Sequence, residues 1–565
     1  MSGPERKSSY LSNALNPFRR KDGLLRPGRL LHQDLKNYTQ RWPSDWTIFN
    51  QLIFASVVYL FFTNLLPGIT FASDLYNLTG QSWGAIEIVF STGLCGVIFS
   101  IFSVQPLTIL GVAGPFSVLA ENIYALCENS FQIDFLSFMA WTLIHAGWMH
   151  ILLAVLNAHD WTMLYVTEFS CEVFSLLNSI IYFHKALQEL ERAHARLDMA
   201  AFLYAIIGAW PPIFHRYVRM GLKEYAAAIS IIFFIGIPYA GELAQLDKDT
   251  LYTSKDAFRP SKPERDHFYA AAAMIPGAII TMLFFFDHEI SSIICTIKRY
   301  GTKKPTGYAQ DIVVLGLTTA LCGVLGIPPA NGLLPQAPLH AESLMHDFKG
   351  EYIEEEVVDR HGVGRIVQRP VQGVYEQRWS YFIHAAAILV FIAPPLHHVL
   401  GLAPTSVLAG LFIFMGQQSL SVNPILHRTF WILTPASELP PLPQGIRNWW
   451  AVHTYTLFEI VMAVVVFIVT LTVAGPAFPV IIVALVPFRL LVMHRIWNKD
   501  VLRYVDRWAC REGRPEDEEE GADGDAGLDG LRAEDTELRV DGRDIEKGPV
   551  EHESVGASSA VDGLK

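Results

Sequence analysis

The chain has 565 residues, of which 51% are hydrophobic and only 17% are charged, whereas about 25% are charged in an average soluble domain. So much apolar surface cannot be buried in the cores of soluble domains, which excludes an ordinary soluble protein. The formal net charge is −12, but residues 511–565 hold 18 acidic and 7 basic side chains. The acidity therefore belongs to a C-terminal tail, the body is close to neutral, and no nucleic-acid partner is expected.

The body contains seven long stretches with no Asp, Glu, Lys or Arg. A helix needs about 20 mainly apolar residues to cross a bilayer, and the 49-residue stretch 379–427 is long enough for two such helices. The chain is therefore predicted to be an all-α polytopic membrane protein in contact with membrane lipids. The seven stretches are 51–73, 88–120, 135–159, 267–286, 312–341, 379–427 and 460–488.

Hydropathy and helix-breaking residues predict fourteen helical segments. They cover 48–66, 84–103, 115–128, 133–157, 166–187, 199–214, 224–241, 266–296, 310–327, 334–346, 379–396, 403–421, 452–474 and 477–495. Lys and Arg cluster in residues 1–45, before the first segment, and again in 215–223 and 298–304, which follow the sixth and eighth segments. Because basic loops stay on the cytoplasmic side, both termini are predicted to be cytoplasmic. Residues 1–45 have no apolar core, so no signal peptide is expected.

The end of the chain has two parts of different character. Residues 497–511 alternate charged and apolar side chains, which predicts a short amphipathic helix on the inner membrane surface. Residues 512–565 are too acidic and too poor in aromatic residues to fold, so they are predicted to form a disordered cytoplasmic tail.

Two places interrupt the helical pattern inside apolar sequence. Residues 105–117, QPLTILGVAGPFS, and residues 326–338, GIPPANGLLPQAP, each place Pro and Gly ahead of a short helix, in the two halves of the chain. One such break alone is equally consistent with a kink, but paired interruptions are typical of transporters built from inverted repeats. A half-helix that begins there directs unpaired N–H groups and the positive end of its dipole at a cavity, which favours an anion.

Asp287 ends an uncharged 20-residue run. A carboxylate at membrane depth is costly and is a functional-site candidate, although an ion pair with another helix is the alternative. His288 and Glu289 adjoin Asp287 but cannot converge on one metal from a single helix, and neither HExxH nor GxSxG occurs. No metal, cofactor or enzymatic activity is therefore expected.

Four further glutamates are expected within the membrane, namely Glu87, Glu121, Glu168 and Glu172. Glu168 and Glu172 are four residues apart on one helix face, so they either share a proton or make structural hydrogen bonds between helices. Glu121 follows the first interruption and is assigned to the same polar network.

Several motifs, in one order along the chain, resemble those of the bicarbonate-transporter (anion-exchanger) solute-carrier family, in particular its fungal and plant borate-exporter branch. The resemblance runs from about residue 15 to residue 510. The motifs are NPFRRKDGLLRPGRLLHQDLKNYTQRWPSDW (16–46), TNLLPGITFA (63–72), QPLTILGVAGPFSVLAEN (105–122), FFFDHEISSII (284–294) and VYEQRW (374–379).

The resemblance implies a fold of 14 segments in a 7+7 inverted repeat, with segments 3 and 10 as half-helices. A core domain of segments 1–4 and 8–11 would move against a gate domain of segments 5–7 and 12–14, in a homodimer. The transmembrane domain would cover 46–496 after a cytoplasmic segment 1–45, with repeats at about 46–241 and 264–496. Glu121 matches a family glutamate, and the acidic position of the eighth segment falls on Asp287. Gln336 stands where animal chloride/bicarbonate exchangers have an arginine, and their large soluble N-terminal domain is missing.

These observations predict a borate efflux transporter of the plasma membrane, or of the vacuolar membrane, that works by alternating access. Borate or boric acid would be oriented by Gln336, and Asp287 would also take up a proton or another coupling ion. The backbone around both interruptions would cradle the anion, through Gly114, Pro115, Phe116, Ser117, Leu334, Pro335 and Ala337. Exchange of bicarbonate or another inorganic anion on the same fold is the alternative, and a membrane-embedded enzyme or scaffold is a distant one.

Overall fold

The computed structural model of the chain describes residues 26–163, 166–192, 229, 232–233, 235–239, 267–296, 300–358, 364–402, 405–435, 439, 446, 448–472 and 478–506. The predicted segment 199–214 and the predicted tail 512–565 lie outside the described residues, as does most of the segment 224–241.

The first half of the chain forms seven described helices and one short strand. The helices are α1 (Arg29–Asp45), α2 (Gln51–Leu78), α3 (Ala85–Phe102), α4 (Gly114–Leu126), α5 (Phe135–Val155), α6 (Ala158–Thr162) and α7 (Glu168–Arg192), and strand β1 (Leu110–Gly111) lies between α3 and α4. Side chains at two N-caps fix helix starts: Asn50 accepts from the Ile53 amide before α2, and Asp134 accepts from the Ser137 amide before α5.

The second half of the chain forms twelve described helices, one short strand and a hairpin. Its helices are α8 (His267–Ala272), α9 (Met274–Ile294), α10 (Tyr308–Leu325), α11 (Gln336–Ser343), α12 (Trp379–Val390), α13 (Pro394–Leu400), α14 (Thr405–Val422), α15 (Pro424–Leu433), α16 (Trp450–Thr470), α17 (Phe478–Phe488), α18 (His494–Ile496) and α19 (Lys499–Val505). Strand β2 (Asn331–Gly332) precedes α11, and β3 (Met345–Val358) pairs antiparallel with β4 (Gly364–Val374) between α11 and α12.

Helices occupy the twelve predicted segments that fall mainly within the described residues. Six helical stretches there are long and apolar enough to cross a membrane. They are Gln51–Ile69, Ala85–Phe102, Phe135–Val155, Phe268–Ile294, Tyr308–Leu325 and Trp450–Thr470. The total of fourteen membrane segments stays a prediction.

Some boundaries differ from the predicted ones. Helix α2 continues to Leu78, twelve residues beyond the predicted end, because Pro67 lies inside the helix and does not end it. The predicted amphipathic helix 497–511 is helical over Lys499–Val505 as α19, which buries Val501, Leu502 and Val505.

Helices α5 and α10 pack with their backbones in direct contact. A Cβ atom on Gly147 would lie 2.8 Å from the Gly316 carbonyl oxygen and 2.7 Å from Ala320 Cβ, and one on Gly316 would lie 2.7 Å from the Gly147 carbonyl oxygen. The two backbones touch because these positions carry no side chain, as small residues allow in membrane helix packing.

Helix α1 packs onto the helical core, although the sequence predicted only a polar segment there. Its Asp34 carboxylate accepts from the Ala309 and Gln310 amides at 2.8 and 3.2 Å and so caps α10. At its end, the buried Asp45 carboxylate binds Arg41 and Arg378 at 3.1 and 3.0 Å. The N-terminal motif and the VYEQRW motif therefore meet in one ion-pair network.

Candidate functional site

The two interrupted segments meet and cross inside the helical core. Strands β1 and β2 pair antiparallel, with Leu110 opposite Gly332 and Gly111 opposite Asn331. Helices α4 and α11 begin shortly after these strands, at Gly114 and Gln336. The sequence predicted two related interruptions of the helical pattern, and the structure brings both interrupted segments together.

Neighbouring helices hold the crossing through hydrogen bonds to Leu110. The Tyr381 hydroxyl of α12 accepts from the Leu110 amide at 2.8 Å. The Asn64 amide of α2 donates to the Leu110 carbonyl at 3.2 Å and lies 3.3 Å from the His384 ring nitrogen. The backbone amide and carbonyl of Leu110 are thus bonded by protein side chains, as irregular backbone in a low-dielectric surrounding requires.

Two glycines allow the crossing strands to approach their neighbours. A Cβ atom on Gly111 would lie 2.6 Å from Asn64 Oδ1, and one on Gly332 would lie 2.8 Å from the His288 Cα atom. Because the second contact is with helix backbone, any side chain at Gly332 would push β2 away from α9.

Asp287 of α9 faces this crossing. Its side chain is buried, and its Oδ2 atom accepts from the Asn331 amide of β2 at 2.9 Å. Among the described residues no ion pair to Asp287 is found, so the alternative of an interhelical ion pair is not what the structure contains. The carboxylate is instead fixed by a neutral amide from the unwound segment.

A cavity lies between α9, the two helix starts and α7. The cavity is small and partly open to solvent. Five of the predicted site residues line it, namely Gly114, Pro115, Asp287, Leu334 and Pro335. Its other wall residues are Phe71, Ala113, Phe174, Asn178, Ile181, Tyr182, Gly332 and Leu333.

The remaining predicted residues lie just behind the cavity wall. The Phe116 ring packs against Trp83 and Phe284, and the Ser117 hydroxyl donates to the Gly114 carbonyl at 2.6 Å. The Phe116 amide donates to Ala113 and the Ala337 amide to Leu333, so both amides are used within their own turns. These amides are therefore not available to cradle an anion in this conformation.

Gln336 is fully buried at the start of α11. Its amide nitrogen makes a long hydrogen bond of 3.4 Å to the Thr63 carbonyl, and its Oε1 atom has no hydrogen-bond partner among the described residues. The Tyr182 hydroxyl of the cavity wall faces this amide. A neutral side chain with spare hydrogen-bonding capacity thus stands beside the cavity.

The sequence prediction missed the α7 side of the cavity. Phe174, Asn178 and Tyr182 are spaced by four residues and so lie along one face of α7. That spacing, with an amide and a phenol in an otherwise apolar run, was the available signal. It does not by itself tell which side of α7 faces the cavity.

The three glutamates of the predicted polar network have different surroundings. Glu121 is exposed on α4, and Glu168 is the first residue of α7. The buried Glu172 forms an ion pair with Arg428 of α15, which also binds Glu459 of α16 at 2.8 Å. The structure therefore gives Glu172 a bond between helices, which is one of the two alternatives predicted for the Glu168 and Glu172 pair.

Comparison with known proteins identifies the family of this chain. The family model described as the HCO3− transporter integral membrane domain matches residues 27–207 and 199–509. The chain belongs to the bicarbonate-transporter family. This confirms the resemblance drawn from the motifs, and it makes the chain an integral membrane protein of a transporter family.

Two relatives and one solved structure illustrate the relationship. Boron transporter 1 of Saccharomyces cerevisiae is 30% identical over 483 residues, which cover 80% of each chain. Anion exchange protein 3 of Oryctolagus cuniculus is 24% identical over 575 residues, covering 89% of this chain and 45% of that protein. The murine Solute Carrier 26 family member A9 anion transporter, in its inward-facing state, aligns with 87% of this chain and 77% of its own, at a TM-score of 0.51 and 12% identity. The last comparison indicates a shared membrane-transporter fold.

Proposed function

We propose that the protein exports borate across the plasma membrane by alternating access. The observation that carries this proposal is the cavity at the crossing of the two interrupted segments, where Asp287 and Asn331 form a buried polar pair. The relative named boron transporter 1 supports the choice of substrate, and family membership supports anion transport.

The polar groups around the cavity suit a substrate rich in hydroxyl groups. Asp287 offers a carboxylate oxygen, while Asn178, Tyr182 and Gln336 offer amides and a phenol. A tetrahydroxy anion both donates and accepts hydrogen bonds, so it can use all of these groups without a fixed positive charge. Bicarbonate has a single hydroxyl and gains more from an arginine, and the corresponding position here is Gln336.

Asp287 is also the proposed coupling residue. An ionised carboxylate next to a bound anion is unfavourable in a buried site, so a proton or another cation would accompany the substrate. The Asn331 amide can donate to either protonation state of Asp287, which lets the pair keep its geometry through the cycle.

The architecture that we propose is the 7+7 inverted repeat with core and gate domains, in a homodimer with both termini cytoplasmic. In this arrangement the α4, α9 and α11 side of the cavity belongs to the core, and the α7 side belongs to the gate. Relative motion of the two sides would open the cavity first to one face of the membrane and then to the other.

Growth of boron-sensitive cells at toxic borate concentrations tests the proposal. We expect the wild-type protein to restore growth, and Asp287→Asn and Gln336→Ala to fail at equal surface levels. Glu121→Gln is the matched control, because Glu121 is exposed and lies outside the cavity wall. Full resistance with Asp287→Asn would contradict the assignment of the site.

A further inference from the structure

A second buried group of charges lies on the same helix as the cavity wall but away from the cavity. It joins Glu172 of α7, Arg428 of α15 and Glu459 of α16, and all three side chains are at least nine-tenths buried. The Arg428 guanidinium binds Oε2 of both glutamates and also donates to the Val505 carbonyl at 3.2 Å. One cation therefore faces two carboxyl groups.

The two carboxyl groups also face each other. The Oε2 atoms of both bind the same nitrogen, Nη2 of Arg428, and the second oxygen of each, Oε1, is buried with no hydrogen-bond partner among the described residues. Two ionised carboxylates contain no donor and repel each other in a buried site. A proton between them supplies the donor and removes one negative charge.

Among the described residues, the groups found around this pair do not provide a second cation for it. Asp506 accepts from the Arg489 guanidinium at 2.6 Å and from the Phe169 amide at 2.9 Å, so Arg489 is matched by its own acid. Tyr455 lies under the Arg428 guanidinium at 5.5 Å, and the adjacent helix α14 carries no charged residue. With all these acids ionised the cluster has a net charge of −1, and one proton makes it neutral.

We propose that Glu172 and Glu459 form a proton-binding site that holds one shared proton in this conformation. The proton converts one carboxylate to a carboxylic acid, which donates to the other carboxylate while Arg428 binds both. This site is distinct from Asp287 and does not depend on which anion the protein carries.

The site is placed to respond to movement of the cavity wall. Glu172 lies six residues before Asn178 on α7, about 9 Å along the helix axis at the usual rise of 1.5 Å per residue. Loss of the proton leaves two repelling carboxylates between α7 and α16 and weakens the contact of these helices. Proton release is thereby linked to displacement of the α7 wall from the cavity.

Infrared difference spectroscopy on the full-length protein in nanodiscs tests the site. The Asp287→Asn background, in which Asp34 is also replaced by Asn, is used, so that neither the coupling proton proposed at Asp287 nor a proton on the buried Asp34 can contribute. We expect a carbonyl band of a protonated carboxylic acid near neutral pH. The band is lost in Glu459→Gln and equally in Glu172→Gln, because the remaining carboxylate is then balanced by Arg428 and ionises.

Glu121→Gln is the control and should keep the band, since Glu121 is an exposed carboxylate. Gel filtration of each variant checks that it is folded. No band in the Asp287→Asn background, or a band that survives either glutamine substitution, would overturn the shared-proton site. Borate transport is not part of this measurement, so a failure of the shared-proton site can be distinguished from a failure of the proposed function.

Discussion

Asp287 shows how a single buried side chain can be held by an unwound segment of backbone. Its carboxylate is bonded to Asn331, which belongs to a strand and not to a helix, and Gly332 keeps that strand against α9. The position of the carboxylate is therefore set by the unwound backbone. A change in the crossing of β1 and β2 would move Asp287 directly.

Asp34 of α1 gives a prediction on pH. Burial raises the pKa of Asp34 to about 7, although two backbone amides of α10 and the nearby His159 oppose that rise. Between about pH 4 and 7, the folded protein therefore keeps a proton on Asp34. The unfolded chain, in which Asp34 has its ordinary pKa of 3.8, has released that proton. Stability contributed by this proton is present at low pH and is lost as the pH rises to about 7.

Asp34→Asn removes this titration and keeps a side-chain oxygen for the cap. The melting temperatures of the purified variant and wild type are measured from pH 4 to 8. We expect the difference, variant minus wild type, to increase up to about pH 7 and then level off. A difference between the two proteins that does not vary with pH would contradict this account of Asp34.

Sequence reasoning at the residue level found Asp287 and missed its partners. Asp287 is conspicuous because it is a charge after an uncharged run, and such a signal needs no tertiary information. Asn331 and Tyr182 become significant only when β2 and α7 are brought beside α9, and their contacts join residues far apart in the chain. Single-sequence patterns do not contain that placement.

At the level of elements, the contact between α5 and α10 depends on glycine. Gly147→Ala places a Cβ atom 2.8 Å from a backbone oxygen of α10, so the two helices must separate. We expect a loss of about 1–3 kcal/mol in stability, as for overpacked cores, seen as a lower melting temperature. Gly68→Ala is the matched control, because its Cβ atom would meet only Ile88 Cγ2 at 3.5 Å. Equal melting temperatures for the two variants would contradict this packing.

The attachment of α1 gives a second prediction on elements. Asp45→Asn leaves the buried Arg41 and Arg378 without their shared carboxylate, and loss of one partner in a buried ion pair costs about 3–5 kcal/mol. Lys304→Met is the control, because the Lys304 side chain is 24% exposed and Asp45 keeps both arginines. Thermal unfolding of both variants checks the difference, and a milder effect for Asp45→Asn than for Lys304→Met would be inconsistent with the network.

The elements that hydropathy predicted are those whose surroundings are apolar. Helices α3, α5 and α10 agree with the predicted segments within a few residues, and α8 and α9 together cover the predicted segment 266–296. Helix α1 and the β3–β4 hairpin were missed because they are rich in charged residues, and their structure depends on partners such as Asp45 with Arg378. The helix period of α1 was present in the sequence but resembled that of a solvated segment.

At the scale of the whole molecule, the two halves of the chain contribute matching parts to one site. Each half supplies an interrupted segment, with a two-residue strand followed by a short helix, and the strands pair at the centre. The sequence predicted both interruptions and their relation, because Pro and Gly in apolar sequence are local signals. It also separated the acidic tail from the near-neutral body, so that overall charge carries no information on the transported ion.

Flux through the purified protein in liposomes tests the central claim most directly. Boron and bicarbonate uptake are measured at alkaline pH, where more of the boron is the borate anion, for the wild type, Asp287→Asn and Glu121→Gln. We expect borate flux above that of empty liposomes for the wild type and Glu121→Gln, little bicarbonate flux, and no borate flux for Asp287→Asn. Bicarbonate flux without borate flux, or wild-type borate flux in Asp287→Asn, would contradict the claim.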